Sequence, residues 1–197
     1  MKYGAILADP PWKYLTYSAK GTGRGAVSHY DVMTVEEIKA MPVADYAAKD
    51  CVLFLWVTDT HLPVAFDVLA AWGFAFKTVG FYWVKSLRKG TGYHFGMGHW
   101  TRANGELCLL ATRGSPKRLA RDVRRLMISP VREHSRKPDE TRDRIMQLVD
   151  GPYLEMFARV TGPGWDCRGN QVGLFDAGGV KTRRQPSDLK GVQPHDE

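Results

Sequence analysis

Long hydrophobic runs, paired cysteines and signal-peptide features are all missing from this sequence. No apolar run reaches the roughly 20 residues that a membrane-spanning helix needs, and the first residues do not resemble a signal peptide. We therefore expect a cytoplasmic protein without a membrane partner. Cys51, Cys108 and Cys167 form no Cys-x-x-Cys pair, which argues against a disulfide framework and against structural zinc.

Metal-site spacings and the common nucleotide-binding and hydrolase motifs are missing as well. His61, His94, His99 and His134 lack the spacing of metal ligands, so we expect no metal cofactor. The glycines of 21–25 are followed by neither a lysine–serine pair nor a helical pattern, which excludes a P-loop and a dinucleotide fingerprint. The patterns of serine and paired-carboxylate hydrolases do not occur.

Acidic residues are the minority, with 21 Asp and Glu against 28 Lys and Arg, and the formal net charge is +7. Basic residues crowd into positions 113–136. Such a cluster is typical of a protein that contacts a phosphate backbone, although a solvated surface has the same composition. The residues concerned are Arg113, Lys117, Arg118, Arg121, Arg124, Arg125, Arg132 and Arg136.

The length of 197 residues suffices for one α/β domain with a full core. We predict a single domain over residues 1–175, followed by a polar tail over residues 176–197 that we expect to be disordered. Strand-like segments alternate with helical ones, which predicts a mostly parallel, doubly wound sheet. The predicted strands are Tyr3–Ala8, Cys51–Val57, Thr78–Val84, Leu107–Ala111, Val123–Ser129, Tyr153–Phe157 and Val172–Phe175.

Three helices are predicted between these strands. Thr34 and Glu37 form a capping-box pattern at the start of a helix that ends before Pro42. Apolar residues recur at helical spacing over 61–72, and Gly73 follows as a helix-terminating residue. A third helix spans 138–149, with proline and acidic residues in its first turn. Between the elements lie three long segments, 14–29, 86–104 and 113–136, and segments of such length are usually functional or disordered.

One tetrapeptide, Asp9–Trp12 with the sequence Asp-Pro-Pro-Trp, directly follows the first predicted strand. The carboxyl end of a strand is where α/β folds bind ligands. The Asp9 carboxylate and the Pro10 carbonyl can accept the two hydrogens of an amine, while Pro11 stiffens the turn and Trp12 offers an aromatic face. Such a pair suits the exocyclic amine of adenine, whose lone pair is delocalised into the ring. A strand-ending turn with Asp9 as a cap is the plainer alternative.

Together with this tetrapeptide, several separated segments resemble the MT-A70 family within the permuted β-class of amino-methyltransferases. The resemblance spans residues 3 to 175, and the segments follow the order of the family. They are Phe54–Thr58, Tyr82–Lys85, Gly98–Trp100, Glu106–Leu109, Lys137–Glu140, Leu154–Arg159 and Gly169–Gln171.

The resemblance implies a Rossmann-like, S-adenosylmethionine-dependent methyltransferase fold with a circularly permuted motif order. It implies methyl transfer to N6 of adenine in a nucleic acid that has been flipped out or is single-stranded. DNA is favoured over RNA as the partner because the chain resembles stand-alone prokaryotic and phage members. No metal is implied, and a homodimer is compatible with the sequence.

The resemblance also assigns residues to the target base. Asp9–Trp12 would hold the adenine amine, and Tyr30 would be a second aromatic residue beside the base. Trp100 lies in the segment that is next to the target in the family. Glu106 would orient the target nucleotide. Arg132 and Ser135 would lie beside it.

Other residues are assigned to the methyl donor. Lys137 would pair with the methionine carboxylate of the donor. The other contacts of the donor, including those to its ribose, would come from Glu155, Arg159, Asn170 and Gln171. The sequence departs from the RNA-modifying relatives at Thr161 and Gly162, where those relatives carry a His-Asn pair. We also expect the pocket for the adenine of the donor near Asp166 and Cys167.

Rival interpretations remain open at this stage. RNA is the alternative substrate. A catalytically silent nucleic-acid-binding scaffold would share the fold, although the intact Asp9 and Trp12 argue against silence. Methylation of a protein or small-molecule amine is a third possibility, against which the positive charge argues weakly.

Overall fold

The structure, a computed structural model, describes residues 1–13, 32–89, 91–96, 98, 100–133, 135–173 and 176. The strands are β1 (Tyr3–Ala8), β2 (Ala47–Val57), β3 (Ala75–Ser86), β4 (Gly105–Arg113), β5 (Leu126–Pro130), β6 (Tyr153–Met156) and β7 (Trp165–Arg168). The helices are α1 (Val35–Lys39), α2 (Val43–Tyr46), α3 (Leu62–Ala71) and α4 (Glu140–Leu148), with a 3-10 turn at Asp59–His61.

The strands form one sheet in the order β5-β3-β4-β2-β1-β6-β7. Strand β4 is antiparallel to β2 and β3, whereas the pairs β1–β2, β1–β6, β3–β5 and β6–β7 are parallel. The mostly parallel sheet that the sequence predicts is therefore confirmed, with one reversed strand. The reversal follows from the connection 87–104, whose described residues contain no crossover helix, so β4 returns beside β3 in the opposite direction.

Buried side chains on β2 alternate between the two faces of the sheet. Leu53 and Leu55 belong to the core cluster that also contains Ile38 of α1 and Leu69 of α3. Phe54 and Trp56 belong to the opposite cluster, which contains Ile145 of α4. The whole run Cys51–Val57 is buried. Its unbroken hydrophobic sequence is thus explained by cover on both faces, as predicted.

Helix boundaries follow the predicted local signals closely. The Thr34 hydroxyl accepts a hydrogen bond from the Glu37 N–H, and the Thr34 N–H donates to the Glu37 carboxylate at 2.8 Å, which completes the capping box. Gly73 adopts a left-handed φ of 78° directly after α3 and its C-cap residue. Glycine populates this conformation without the steric cost of a Cβ atom.

The prediction of a strand at 172–175 is wrong for Val172 and Gly173, which lie in a turn. Gly173 has a φ of 80°, which is incompatible with an extended strand. The last strand is instead β7, where Trp165 is buried against the core and pairs with β6. The short helix α2 and the first four residues of β2 were also not predicted.

Several predictions concern residues that the structure does not describe. The segment 14–29, Leu174, Phe175 and the part of the tail at 177–197 lie outside the described residues. The long segment 113–136 contains β5, which begins at Leu126, three residues later than predicted. Within the described part of the chain, no helix has both the length and the apolar character needed to cross a membrane.

We expect Leu55→Ala to lower the free energy of unfolding by about 2–5 kcal/mol, because it leaves a cavity in a fully buried central strand. Urea denaturation of the two proteins measures the difference. The matched control is Leu119→Ala, whose side chain is 58% exposed, and its effect should stay within about 0.5 kcal/mol. Equal losses for the two variants would contradict the assigned core.

Candidate active site

The Asp-Pro-Pro-Trp turn begins where β1 ends, between the two neighbouring parallel strands. Ala8 is level with Leu55 of β2 and with Met156 of β6, so Asp9 lies at the carboxyl edge of three parallel strands. Edges of this kind place loops and side chains around a shared crevice. Asp9 therefore occupies the position that the sequence analysis predicts for it.

Backbone hydrogen bonds hold the turn in one shape. The Trp12 N–H donates to the Pro10 carbonyl at 2.9 Å, and the Met33 N–H donates to the Pro11 carbonyl at 2.8 Å. The Lys13 N–H donates to the Met33 carbonyl at 3.0 Å, which completes a short parallel β-bridge between Trp12 and Met33. A carbonyl oxygen has two lone pairs, so the Pro10 carbonyl retains one acceptor position.

Trp12 anchors this turn to the core. Its indole N–H donates to the Trp56 carbonyl at 3.1 Å, and its ring stacks on His61 with centroids 5.2 Å apart. The His61 ring is itself fixed between the Thr58 hydroxyl at 2.8 Å and the Lys13 carbonyl at 3.1 Å. Trp12 is only 4% exposed in this structure. The stacking of a base on its ring stays a prediction.

Four charged side chains meet beside the turn. The Lys137 ammonium lies 2.8 and 2.7 Å from the two oxygens of Asp9 and 3.2 Å from a Glu106 oxygen. The other Glu106 oxygen lies 2.5 Å from the Lys85 ammonium. Lys137 also lies 5.7 Å from the centroid of the Trp56 ring, within the range of a cation–π contact. Two carboxylates and two ammonium groups thus balance one another in a partly buried setting.

This cluster shifts the two carboxylates in opposite directions. Burial raises the pKa of Asp9, and the charge of Glu106 adds to the rise, while Lys137 only partly offsets it. Burial also acts to raise the pKa of Glu106, but its ion pairs with Lys137 and Lys85 outweigh that effect, so the pKa lies below its usual value. Relative to the isolated side chains, the cluster thus favours the protonated form of Asp9 and the charged form of Glu106.

Three separate elements deliver the partners of Asp9. Glu106 is the second residue of β4, and register places it opposite Trp83, two residues before Lys85 on β3. Lys137 precedes α4, and its ammonium also donates to the Ser135 carbonyl at 3.3 Å. Ser135 has a φ of 61°, a left-handed conformation that is uncommon for residues other than glycine.

The loop around Lys137 is tied down by arginines. Arg132 lies 2.5 Å from the Asp139 carboxylate and donates to the Lys137 carbonyl at 2.8 Å. Arg136 pairs with Glu133 at 3.2 Å and with Asp139 at 3.3 Å. The predicted target-side residue Arg132 therefore supports the loop that carries Lys137.

A second group of charged side chains lies around Glu155, at the carboxyl end of β6. Its carboxylate lies 2.5 Å from Arg142 of α4, which also donates to the Val160 carbonyl at 2.6 Å. Burial raises the pKa of Glu155, with Arg142 offsetting part of the rise. Arg142 thus orients Glu155 and at the same time fixes the loop that follows β6.

One shallow cleft connects the cluster around Asp9 with Glu155. Five predicted site residues line it, namely Asp9, Ser135, Lys137, Glu155 and Arg159. Leu7, Trp56, Arg136, Pro138, Asp139, Thr141, Arg142, Phe157 and Val160 complete the lining.

The other predicted site residues that the structure describes do not line this cleft. Glu106 reaches it through Lys137. Trp100 is 96% exposed, in the segment before β4. Asn170 and Gln171 lie in the turn after β7, next to Gly169, which packs against the backbone of Ala158. Tyr30 lies outside the described residues.

The expected pocket near Asp166 and Cys167 has a specific local structure. The Asp166 carboxylate accepts a hydrogen bond from the Tyr3 hydroxyl at 2.6 Å. Cys167 is level with Glu155 in the neighbouring strand, and its side chain is partly buried. The role of this region in binding the adenine of the donor stays a prediction.

Three contributors to the site were not predicted as site residues. Lys85 and Trp56 contact the ion cluster, and Arg142 orients Glu155. A lysine directly after an apolar strand was the available signal for Lys85. Arg142 resembles any helical arginine in sequence, so only its three-dimensional neighbours reveal its role. Among the residues described, no group of three or more His, Cys, Asp or Glu side chains could hold a metal ion.

The mixed sheet, with the Asp-Pro-Pro-Trp turn at its carboxyl edge, is an α/β, Rossmann-like methyltransferase fold. The sequence profile of the MT-A70 family matches residues 3–171, and the chain belongs to this family of N6-adenine methyltransferases. The fold class and the family that the sequence analysis named are thereby confirmed.

Similar proteins come from bacteria and from eukaryotes. The type II methyltransferase M.MunI of Mycoplasma sp is 30% identical over 189 residues, covering 87% of this chain and 78% of that protein. A putative N(6)-adenosine-methyltransferase MT-A70-like protein of Medicago truncatula is 33% identical, and the match covers 90% of this chain and 28% of that protein. The human N(6)-adenosine-methyltransferase catalytic subunit METTL3 is 28% identical, and the match covers 87% of this chain and 28% of that protein. The chain thus spans little more than a quarter of the last two proteins.

The shifted carboxylates can be tested by carbon-detected NMR titration, with the Asp9 signal assigned by its absence in Asp9→Asn. We expect its pKa above the usual aspartate value of about 3.9, because burial disfavours the charged form. Glu106→Gln should lower the Asp9 pKa, since it removes a neighbouring negative charge and leaves Lys137 to Asp9 alone. The exposed substitution Glu36→Gln is the control and should change nothing. An Asp9 pKa at or below the usual value would contradict this electrostatic arrangement.

Proposed function

We propose that this protein transfers the methyl group of S-adenosylmethionine to N6 of adenine in a nucleic acid, with DNA favoured. The observation that carries the proposal is the Asp9 carboxylate, which lies in a cleft at the carboxyl edge of the sheet and next to Lys137. The family membership supports the same reaction. Each residue role below is part of the proposal.

The cleft has the chemical groups that the donor requires. S-adenosylmethionine carries a carboxylate, an ammonium, a sulfonium and two ribose hydroxyls. Lys137, Arg136 and Arg159 bring positive charge for the carboxylate, and Glu155 offers an acceptor for hydroxyl or ammonium groups. When bound, the donor supplies an activated methyl group on a sulfonium sulfur. Asn170 and Gln171 would add polar contacts from the turn after β7.

Asp9 and Pro10 act on the adenine amine. The carboxylate accepts one amine hydrogen, and the free lone pair of the Pro10 carbonyl accepts the other, so the nitrogen lone pair is directed towards the methyl carbon. The amine that takes up the methyl group must lose one proton; the Asp9 carboxylate that holds the amine would accept this proton, and the donor would leave as a neutral thioether. Positioning and electrostatics therefore supply most of the acceleration.

Lys137 links donor binding to the state of Asp9. Both Asp9 oxygens are held by the Lys137 ammonium in this structure. A donor carboxylate that draws the ammonium away would release an Asp9 oxygen for the adenine amine. Glu106, which keeps a second ion pair with Lys85, would then orient the target nucleotide.

DNA is favoured over RNA because the type II methyltransferase M.MunI, which acts on DNA, is 30% identical to this chain over 189 residues. RNA remains the second substrate to be tested.

The substrate can be identified with a labelled-methyl donor and four pools: duplex DNA, single-stranded DNA, RNA and no nucleic acid. After digestion, the modified nucleoside is identified by mass. We expect N6-methyldeoxyadenosine from a DNA pool. N6-methyladenosine from RNA alone would reverse the choice of substrate, and donor binding without transfer to any pool would support a silent scaffold.

Asp9→Ala should lower the rate of methyl transfer by about 100-fold or more, because the amine loses one acceptor. Donor affinity, measured by calorimetry, should be retained, since Lys137 stays available to the donor carboxylate. Asp67→Ala, on the exposed side of α3, is the control and should keep full activity. Full activity of Asp9→Ala would refute the role of this carboxylate.

A further inference from the structure

The basic cluster at 113–136 divides into two groups that differ in how their charges are used. Arg132 and Arg136 lie next to the cleft and are paired with Glu133 and Asp139. Arg113 donates to the Ala44 carbonyl at 2.9 Å. The other five cations lie in residues 117–125, which we name the basic segment.

The cations of the basic segment are exposed and unneutralised. They are Lys117, Arg118, Arg121, Arg124 and Arg125. No ion pair within the described part of the chain uses any of them, and Asp122 is the one carboxylate in the segment. The cations near the cleft, by contrast, face carboxylates of this chain. The basic segment therefore presents net positive charge to solvent.

Although the basic segment is neither helix nor strand, its backbone is anchored at several points. The Leu119 N–H donates to the Leu148 carbonyl at 2.8 Å, at the end of α4. The Tyr82 N–H donates to the Arg125 carbonyl at 3.0 Å, and Arg144 donates to the Arg124 carbonyl at 2.7 Å. An anchored backbone holds the cationic side chains in place, so a ligand has less chain to order on binding.

The segment lies well away from Asp9. Helix α4 begins beside the cleft and runs nine residues to Leu148, about 13 Å at 1.5 Å per residue. Leu119 is therefore at the far end of this helix. The segment leads into β5, which is four strand positions from β1, about 19 Å. Because β5 runs parallel to β1, the residues directly before β5 lie at the amino edge of the sheet, opposite the edge that carries Asp9.

We propose that the basic segment is a second contact surface, at the amino edge of the sheet, that binds the phosphate backbone of the nucleic acid. The proposal rests on the proposed function, since it takes the same nucleic acid as the ligand. Arginine, which supplies four of the five cations, matches phosphate oxygens with its forked donors. Contacts of this kind position a duplex without reading its sequence.

Nucleic acid fits this surface better than an acidic protein does. Protein interfaces usually have an apolar core within a polar rim. Leu119 is the one exposed large apolar side chain in the segment. Leu126 and Ile128 are also exposed, but they lie on β5, outside the cationic stretch. Five cations within nine residues suit a polyanion whose charges repeat along a backbone.

The test compares two variants that remove the same charge. Arg118→Gln/Arg121→Gln acts in the basic segment. Lys2→Gln/Lys39→Gln acts near α1 and α2, where Lys2 donates to the Asp45 carbonyl and Lys39 pairs with Glu36. The probe is a fluorescent DNA duplex of about 30 base pairs, long enough for both surfaces. Binding is measured over a series of salt concentrations, with unfolding in urea as a check on folding.

For wild type, the logarithm of the binding constant should fall linearly with the logarithm of salt concentration. Arg118→Gln/Arg121→Gln should reduce this slope by about 1.8, or about 0.9 for each lost phosphate contact. The control should keep the wild-type slope. In methylation assays the KM for nucleic acid should rise, while kcat and donor affinity stay unchanged because the cleft is intact.

An unchanged slope in Arg118→Gln/Arg121→Gln would overturn the second contact surface, even if methyl transfer is confirmed. Binding of polyglutamate that is lost in this variant, with DNA binding unaffected, would assign the surface to an acidic protein instead. A reduced slope without methyl transfer to any nucleic acid would support the surface while refuting the proposed activity. The two proposals are therefore separable.

Discussion

The contact between Asp9 and Lys137 is the constraint on which the arrangement of the site depends. These residues are 128 positions apart, and their charged groups meet at 2.7 Å in a partly buried setting. A buried charge without a partner is costly, so the strands and loops around it must supply compensating groups. Glu106 and Lys85 do so from β4 and β3. The antiparallel course of β4 is what brings Glu106 to the carboxyl edge, since its second residue lies where the parallel strands end.

From this cluster outward, the positive charge of the chain is used in two ways. Close to the cleft, arginines are engaged with carboxylates and carbonyls of the chain, and they hold the loop that carries Lys137 and the loop that follows β6. In the basic segment the cations are exposed and pair with no carboxylate among the described residues, and Arg125 donates to the Thr78 hydroxyl at 3.1 Å. Paired charges stabilise a defined geometry, whereas unpaired ones attract an external polyanion. The formal net charge of +7 does not distinguish these two uses of positive charge.

Much of the architecture could be predicted because its signals are local. The capping box at Thr34, the apolar run Cys51–Val57 and the glycine that follows α3 each depend on neighbouring residues. Strand β7 was missed because its alternation of apolar and polar residues covers only four positions, Trp165–Arg168, and pairing with β6 decides their conformation. The turn at Val172 and Gly173 was mistaken for a strand because hydropathy does not report a left-handed φ.

The sequence by itself determined the family, the tetrapeptide at the carboxyl end of the first strand, and the excess of positive charge. These depend on residue identity and order, which need no contacts to recognise. Only the tertiary structure decided that Lys137 holds Asp9, that Trp12 is buried on His61, and that Arg142 orients Glu155. It also decided which cations form ion pairs within the described part of the chain. Each of these facts depends on distances between residues that are remote in the chain, and such distances are set by the packing of the whole sheet and its helices.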